Sequence, residues 1–320
     1  MITVVKNNKV FPFSKGILAR SMHGTGLSQE QVYEIINRIL TDIKKNGIEE
    51  IKSDMLREMV CDHLYQRQFY QEEKYYRLSR QIVELKKPMI VLIGGTTGSG
   101  KSSVALEVAK RLGINRVFNT DIIREIMRYM LPVDIAPTLH VSSFVAGNAV
   151  KNLILKNNLI YGFCQQSSLV TEGVKAYIKR NVKEGLTSVI NGVHLVPGYL
   201  KTECFGSNAL LFHYVLYLED EEEHKQHFYS RSEGSMRDPE YYISNIKAIR
   251  NIQEYIKEMA LKENVKIIVN YDFENTVKSI IDDIIQQLED SSSAPVGKPG
   301  ADDFKAASVL TNTVFHYNQK

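Results

Sequence analysis

Apolar residues recur every three or four positions over much of residues 1–87, which is the spacing of one buried helical face. The clearest stretch begins at Ser28, in an S-x-x-Q capping box with Gln31, and ends at Gly47. A second amphipathic helix is predicted after Ser53, and a third, more polar helix over 67–87. The apolar positions of the first helix are Val32, Ile35, Ile36, Ile39, Leu40 and Ile43.

Two short apolar stretches precede these helices. Residues 2–5 and 10–13 flank a turn at Asn7-Asn8 and predict two strands. Strands and helices together predict a small, mainly helical domain over 1–87. The third helix is rich in tyrosine and charge, so it is either a connector lying on a neighbouring domain or a plain solvated helix.

A different pattern begins after Pro88. Residues 89–93 are a continuous apolar run, as expected for a central parallel strand that is covered on both faces. Alternating strands and helices predict an α/β domain with a parallel sheet over 88–290, and residues 291–320 are linker-like in composition. The further apolar runs lie at 116–118, 188–193, 210–218 and 265–269.

Composition and charge limit the classes of protein that this chain can belong to. The 320 residues fit about two domains of ordinary size, and no apolar run approaches the roughly 18 residues of a membrane span. A net charge of +3 is too small to imply a nucleic acid or an anionic membrane as the main partner. The cysteines, Cys61, Cys164 and Cys204, form no CxxC pair. We therefore expect a soluble, cytoplasmic protein with reduced thiols.

A phosphate-binding loop (P-loop) is predicted at 95–102, where GTTGSGKS fits GxxxxGK[ST] between a predicted strand and a predicted helix. Its backbone N–H groups would surround phosphate oxygens, Lys101 would reach the β- and γ-phosphates, and the Ser102 hydroxyl would ligate Mg²⁺. No NKxD guanine motif is present, which disfavours a GTPase. The predicted residues for ATP are Gly95, Thr96, Thr97, Gly98, Ser99, Gly100, Lys101, Ser102 and Ser103.

Charged residues after the second strand predict a site for a second substrate. Asp121 lies at the strand end that faces the ligand crevice, where it could accept a proton from an attacking hydroxyl. Arg124 and Arg128, one helical turn apart, could hold an anionic acceptor. The alternative is that Asp121 caps the next helix and the arginines form a solvated face.

A charged segment at about 221–264, inserted before the last strand, is typical of a lid that covers a transferring phosphate. Arg231 and Arg237 are its predicted catalytic cations, with Arg250 further along, unless this face is simply solvated. His224 and His227 form an HxxH pair, but no third ligand supports a zinc site.

Several segments together resemble the 2-phosphoglycerate kinases of methanogenic archaea and their relatives. That resemblance implies a nucleoside-monophosphate-kinase-like fold and transfer of the ATP γ-phosphate to the 3-hydroxyl of 2-phosphoglycerate, giving 2,3-bisphosphoglycerate. It also adds His194 and residues 138–143 to the pocket for this small phosphorylated acceptor. The segments are IGGTTGSGKSSVA at 93–105, NTDIIREIMR at 119–128, PTLHVSSF at 137–144, INGVHLVPG at 190–198, and FYSRS at 228–232 through AIRNIQEYI at 248–256.

The opening VVKNNKVFPFSKGIL resembles an ATP-cone domain. That resemblance implies a second adenine nucleotide at the N-terminal domain, with phosphate contacts from Lys6, Lys9 and Lys15. The domain could equally be a packing module that binds nothing.

Asn191 departs from the pattern expected of this family, which is an acidic residue before Gly192. An amide gives Mg²⁺ no negative charge, so either Ser102, ATP oxygens, waters and Asp121 suffice, or metal binding is altered. Two alternatives to the 2-phosphoglycerate kinase stay open: a kinase for another small phosphorylated acceptor, such as an inositol phosphate, and a nucleotide-sensing regulator.

Overall fold

The computed structural model describes residues 2–150, 157–200, 208–232, 236 and 238–293. The predicted lid cation Arg237 lies outside the described residues, as do residues 294–320 of the predicted linker. Residues 291–293, which were also predicted as linker, instead end the last helix, Phe273–Ser293. Within the described ranges, no helix is both long enough and apolar enough to cross a membrane.

The strands in this part of the chain are β1 (Thr3–Lys6), β2 (Lys9–Pro12), β3 (Glu50–Lys52), β4 (Met89–Gly95), β5 (Val117–Asn119), β6 (Ser188–Asn191), β7 (Leu210–Tyr217) and β8 (Lys266–Val269). The α-helices are α1 (Lys15–Ser21), α2 (Gln29–Lys45), α3 (Ser53–Gln66), α4 (Tyr70–Glu84), α5 (Lys101–Arg111), α6 (Thr120–Met130), α7 (Asn158–Lys183), α8 (Glu221–Ser232), α9 (Pro239–Ile243), α10 (Ile246–Lys262) and α11 (Phe273–Ser293). Short 3₁₀ helices span His23–Thr25, Pro137–His140 and Ser143–Ala149.

The N-terminal helices follow the predicted periodicity. The capping box is confirmed, because the Ser28 side chain accepts from the Gln31 backbone N–H and the Gln31 side chain accepts from the Ser28 backbone N–H. Behind it, α2 buries the predicted apolar face in a core shared with α3. The third helix begins only at Tyr70, since Gln68 has a positive φ of 64°, which a helix excludes. Strand β3, which the sequence did not predict, pairs parallel to β1.

Helix α4 packs on α5. Of the two interpretations of its tyrosine-rich sequence, a connector or a plain solvated helix, the structure therefore supports the connector. The Tyr75 hydroxyl accepts from the Arg111 guanidinium at 3.4 Å, and that guanidinium lies 5.4 Å from the Tyr75 ring centroid. At the end of α5, a Cβ on Gly113 would stand 3.5 Å from the Ser79 Cβ. The N-terminal helices therefore touch the helix that follows the P-loop.

The second sheet has the strand order β5-β6-β4-β7-β8, with every pairing parallel. Strand β4 is central and wholly buried, as its continuous apolar run predicts. The predicted α/β class with a parallel sheet between helices is confirmed. Because all five strands run the same way, the residues that follow them meet at one edge of the sheet.

Candidate active site

A cavity of about 730 Å³ opens at the carboxyl edge of this sheet. It brings together the P-loop, the start of α6, the segment after β6 and the end of α8. Arg128 is not among its lining residues, and Gly95, Thr96 and Ser99 are buried behind it. The predicted site residues that line it are Thr97, Gly98, Gly100, Lys101, Ser102, Ser103, Asp121, Arg124, His194 and Arg231.

The P-loop needs its glycines for both conformation and space. Gly98 and Gly100 have φ values of 86° and 81°, in the left-handed region that favours glycine. A Cβ on Gly98 would stand 2.6 Å from the Phe228 ring, and one on Gly100 would stand 2.6 Å from Nδ2 of Asn270. Lys101 folds over the loop, and its ammonium donates to the Thr96 carbonyl at 2.9 Å. The loop is therefore tightly turned and packed against other elements.

Asn191 faces the P-loop serine. Its Nδ2 donates to Ser102 Oγ at 2.9 Å, which leaves lone-pair density on that oxygen for a cation. Among the described residues, no group of three or more His, Cys, Asp or Glu side chains could hold a metal ion. The Ser102 hydroxyl is an oxygen donor of the kind that Mg²⁺ accepts beside nucleotide phosphates and water.

Asp121 does not cap α6. Asn119 caps α6 instead, because its Oδ1 accepts from the Asp121 backbone N–H at 2.7 Å. The Asp121 side chain is half exposed in the cavity, and one carboxylate oxygen lies 3.9 Å from His194 Nδ1. The carboxylate is thus open to a ligand.

His194 is fully buried and held in one tautomer. The Gln166 amide nitrogen donates to the carbonyls of Thr138 and Val141, so its Oε1 must accept from the Nε2–H of His194 at 3.1 Å. His194 Nδ1 then accepts from the Thr120 hydroxyl at 2.9 Å. Burial lowers the pKa of His194 to about 4, against a weaker opposing effect of Asp121. His194 is therefore a neutral part of the wall and not a cation.

The predicted acceptor arginines differ in their surroundings. Arg124 is largely buried, and its guanidinium donates to the carbonyls of Leu139 and Val141, each at 3.0 Å. Arg128 is half exposed, and both arginines pair with Glu125, Arg124 at 2.5 Å and Arg128 at 2.6 Å. Arg124 thus joins the cavity to the 138–143 segment, whereas Arg128 lies outside the cavity lining.

Helix α8 contributes residues whose part in the site the sequence reasoning missed. Its HxxH pair faces one side, as helical spacing requires, but both rings bond to P-loop carbonyls. Arg231, near the end of α8, lines the cavity with its guanidinium 6.0 Å from the Tyr242 ring centroid. Arg250 instead donates to the Glu219 carbonyl at 2.7 Å. Spacing indicated a shared face for the histidines, but only tertiary structure identifies what that face meets.

A second cavity, of about 330 Å³, lies among the N-terminal elements. It is mainly apolar, and its charged lining residues are Lys6, Arg57, Arg80 and Glu84, of which Arg57 pairs with Glu84 at 2.5 Å. Of the other predicted phosphate contacts, Lys15 donates to Asn37 Oδ1 at 2.8 Å, and Lys9 is not among the lining residues.

Fold and site together define a P-loop kinase carrying an additional N-terminal domain. A family model described as ATP cone domain matches residues 2–85, which confirms that resemblance. A 2-phosphoglycerate kinase from Pyrococcus horikoshii is 38% identical over 289 residues, covering 90% of this chain and 95% of the relative. One from Methanothermobacter thermautotrophicus is 39% identical over 278 residues, covering 84% and 89%. The chain belongs to the 2-phosphoglycerate kinase family.

Among solved structures, a gluconokinase from Sinorhizobium meliloti is similar to 65% of this chain over 98% of its own length. Its identity is 12% and its TM-score is 0.39.

Proposed function

We propose that this protein transfers the γ-phosphate of ATP to the 3-hydroxyl of 2-phosphoglycerate, giving 2,3-bisphosphoglycerate and ADP. One observation supports this proposal. The P-loop and Asp121, an aspartate that does not cap its helix, line the same cavity in a chain that belongs to this kinase family. A kinase is the class of enzyme that needs a phosphate cradle and a base on opposite sides of one site.

On the donor side, the P-loop amides and Lys101 would bind the ATP phosphates, and Ser102 would hold Mg²⁺. Mg²⁺ neutralises phosphate charge when bound. Asn191 would orient the Ser102 hydroxyl, and the first amides of α5 would add a favourable dipole.

On the acceptor side, Asp121 would take the proton of the 3-hydroxyl. The 3-oxygen then bonds to the γ-phosphorus, the bond from that phosphorus to the β–γ bridging oxygen breaks, and ADP leaves. Arg124 would bind the anionic groups of the acceptor, and Arg128, on the same helix but outside the lining, would add positive charge. Neutral His194 would support the wall beside Asp121.

Arg231 and Arg237 would stabilise the transferring phosphoryl from the lid at about 221–264. Arg231 already lines the cavity, and the role of Arg237 rests on the sequence alone. Residues 1–87 would form the ATP-cone domain and 88–290 the kinase domain. A second adenine nucleotide would bind in the N-terminal cavity, where Lys6 is the lining lysine.

The test is product analysis by phosphorus NMR with Mg²⁺-ATP and one acceptor at a time. 2-Phosphoglycerate should give 2,3-bisphosphoglycerate, with 3-phosphoglycerate and an inositol phosphate as comparison acceptors. Phosphorylation of a comparison acceptor in preference to 2-phosphoglycerate would contradict the proposed substrate. ATP binding without transfer to any acceptor would favour the nucleotide-sensing alternative.

A further inference from the structure

The P-loop is held by side chains from distant parts of the chain, and two of them, His227 and Asn270, also line the cavity. Three successive carbonyls accept hydrogen bonds from α8 and from the residue that follows β8. None of the three donor residues belongs to the GxxxxGK[ST] motif. The bonds join Thr97 O to His224 Nε2 at 2.8 Å, Gly98 O to His227 Nδ1 at 2.9 Å, and Ser99 O to Asn270 Nδ2 at 3.0 Å.

These donors are fixed in orientation. A carbonyl only accepts, so His224 must carry its proton on Nε2 and His227 on Nδ1. The Asn270 amide is oriented by its Oδ1, which accepts from the Thr276 hydroxyl at 2.8 Å. Its backbone N–H also donates to the Tyr217 carbonyl at 2.9 Å. We call the three side chains together the carbonyl brace.

Because the peptide group is planar, the orientation of the braced carbonyls also determines the orientation of the N–H groups that would bind phosphate. The carbonyl of one residue and the N–H of the next point in opposite directions. Holding the Thr97 and Ser99 carbonyls toward these side chains turns the N–H groups of Gly98 and Gly100 away from them. The peptide between Gly98 and Ser99 is held as well, and its N–H donates to the Thr96 carbonyl at 3.3 Å.

We infer that His224, His227 and Asn270 are positioning residues for phosphate binding, which keep the P-loop amides aimed at the anion before it arrives. Donors that need no reorganisation bind developing or bound negative charge more strongly than donors that must turn first. The inference rests on the ATP-binding half of the proposed function and is independent of the acceptor.

The two histidines bond through different ring nitrogens, which allows a crossed test. A glutamine places an amide nitrogen near the position of Nε2, and an asparagine places one near the position of Nδ1. His224→Gln and His227→Asn should therefore keep the donor, whereas His224→Asn and His227→Gln should remove it. Lys225→Ala, on the same helix but outside the brace, is the control, since Lys225 pairs with Glu221 and Glu222.

Affinities are measured on the full chain by competition with a fluorescent ATP analogue, using ATP, inorganic triphosphate and adenosine as competitors. Each donor-removing variant should bind ATP and triphosphate about tenfold more weakly, as expected for one lost hydrogen bond. Adenosine affinity should stay within about twofold. The donor-keeping variants and Lys225→Ala should match the wild type for all three competitors.

The ratio of triphosphate to adenosine affinity reports only on folded protein, so partial unfolding of a variant does not obscure the result. Equal ratios in donor-keeping and donor-removing variants would overturn the inference, and so would parallel losses for adenosine and triphosphate. A wild type that binds ATP but leaves 2-phosphoglycerate unchanged would overturn the proposed acceptor and not the role of the brace.

Discussion

Replacing Gln166 by leucine should destabilise the protein strongly, because one buried amide satisfies three partners on different segments. Leucine has a similar size but neither donates nor accepts. It would leave the His194 Nε2–H and the Thr138 carbonyl without this partner, whereas the Val141 carbonyl keeps its bond from Arg124. At about 1–3 kcal/mol for each buried group left unpaired, the expected loss is about 2–6 kcal/mol. Total stabilities of about 5–15 kcal/mol make this a large fraction.

The assay is urea unfolding followed by circular dichroism, with the transition midpoint and slope compared between variants. Gln165→Leu is the matched control, because Gln165 directly precedes Gln166 on α7 and is exposed. This substitution should change the free energy of unfolding by less than about 0.5 kcal/mol. A loss below about 1 kcal/mol for Gln166→Leu would refute the reasoning. A shift equal to that of Gln165→Leu would do the same.

Three further outcomes are expected. Lys101→Met should lower turnover by at least about 100-fold, measured as ADP release, and retention of activity within tenfold would argue against its role. Asn191→Asp should lower the Mg²⁺ concentration for half-maximal turnover by several-fold, since it places a carboxylate beside Ser102; an unchanged or raised value would count against the Ser102 metal site. Burial lowers the pKa of His194 and His224 to about 4. As pH falls below about 6.5, these two histidines are therefore protonated in the unfolded chain before they are protonated in the folded protein. The free energy of unfolding should therefore drop by about 2 kcal/mol per histidine from pH 7 to pH 5, and this drop should be about 2 kcal/mol smaller in His224→Gln than in the wild type. An equal drop in the variant and the wild type would contradict the burial effect.

The sequence predicted those parts of the site that are local along the chain. GTTGSGKS contains the turn glycines, the lysine and the serine in one stretch, and the buried run 89–93 indicated the strand before it. The sequence left open whether Asp121 caps the helix after β5 or faces the cavity. The structure places Asn119 at the cap, and Asp121 is then available to the cavity.

What the sequence could not predict depends on contacts between distant segments. The tautomer of His194 follows from Gln166, 28 residues away along the chain. The bonding of His224 to the P-loop crosses 127 residues. Strand β3 spans only Glu50–Lys52, too few residues for an alternating pattern, and it forms because β1 offers a free edge.

The central claim is that Asp121 activates an acceptor hydroxyl for attack on P-loop-bound ATP. The most direct test is ADP release with Mg²⁺-ATP, with and without 2-phosphoglycerate, for the wild type, Asp121→Asn and the control Asp134→Asn, whose residue is exposed and outside the cavity lining. We predict that 2-phosphoglycerate stimulates the wild type and the control, and that Asp121→Asn loses about 100-fold or more of that stimulated rate while its ATP affinity is kept. Equal stimulation of Asp121→Asn and wild type, or none in the wild type, would contradict the account.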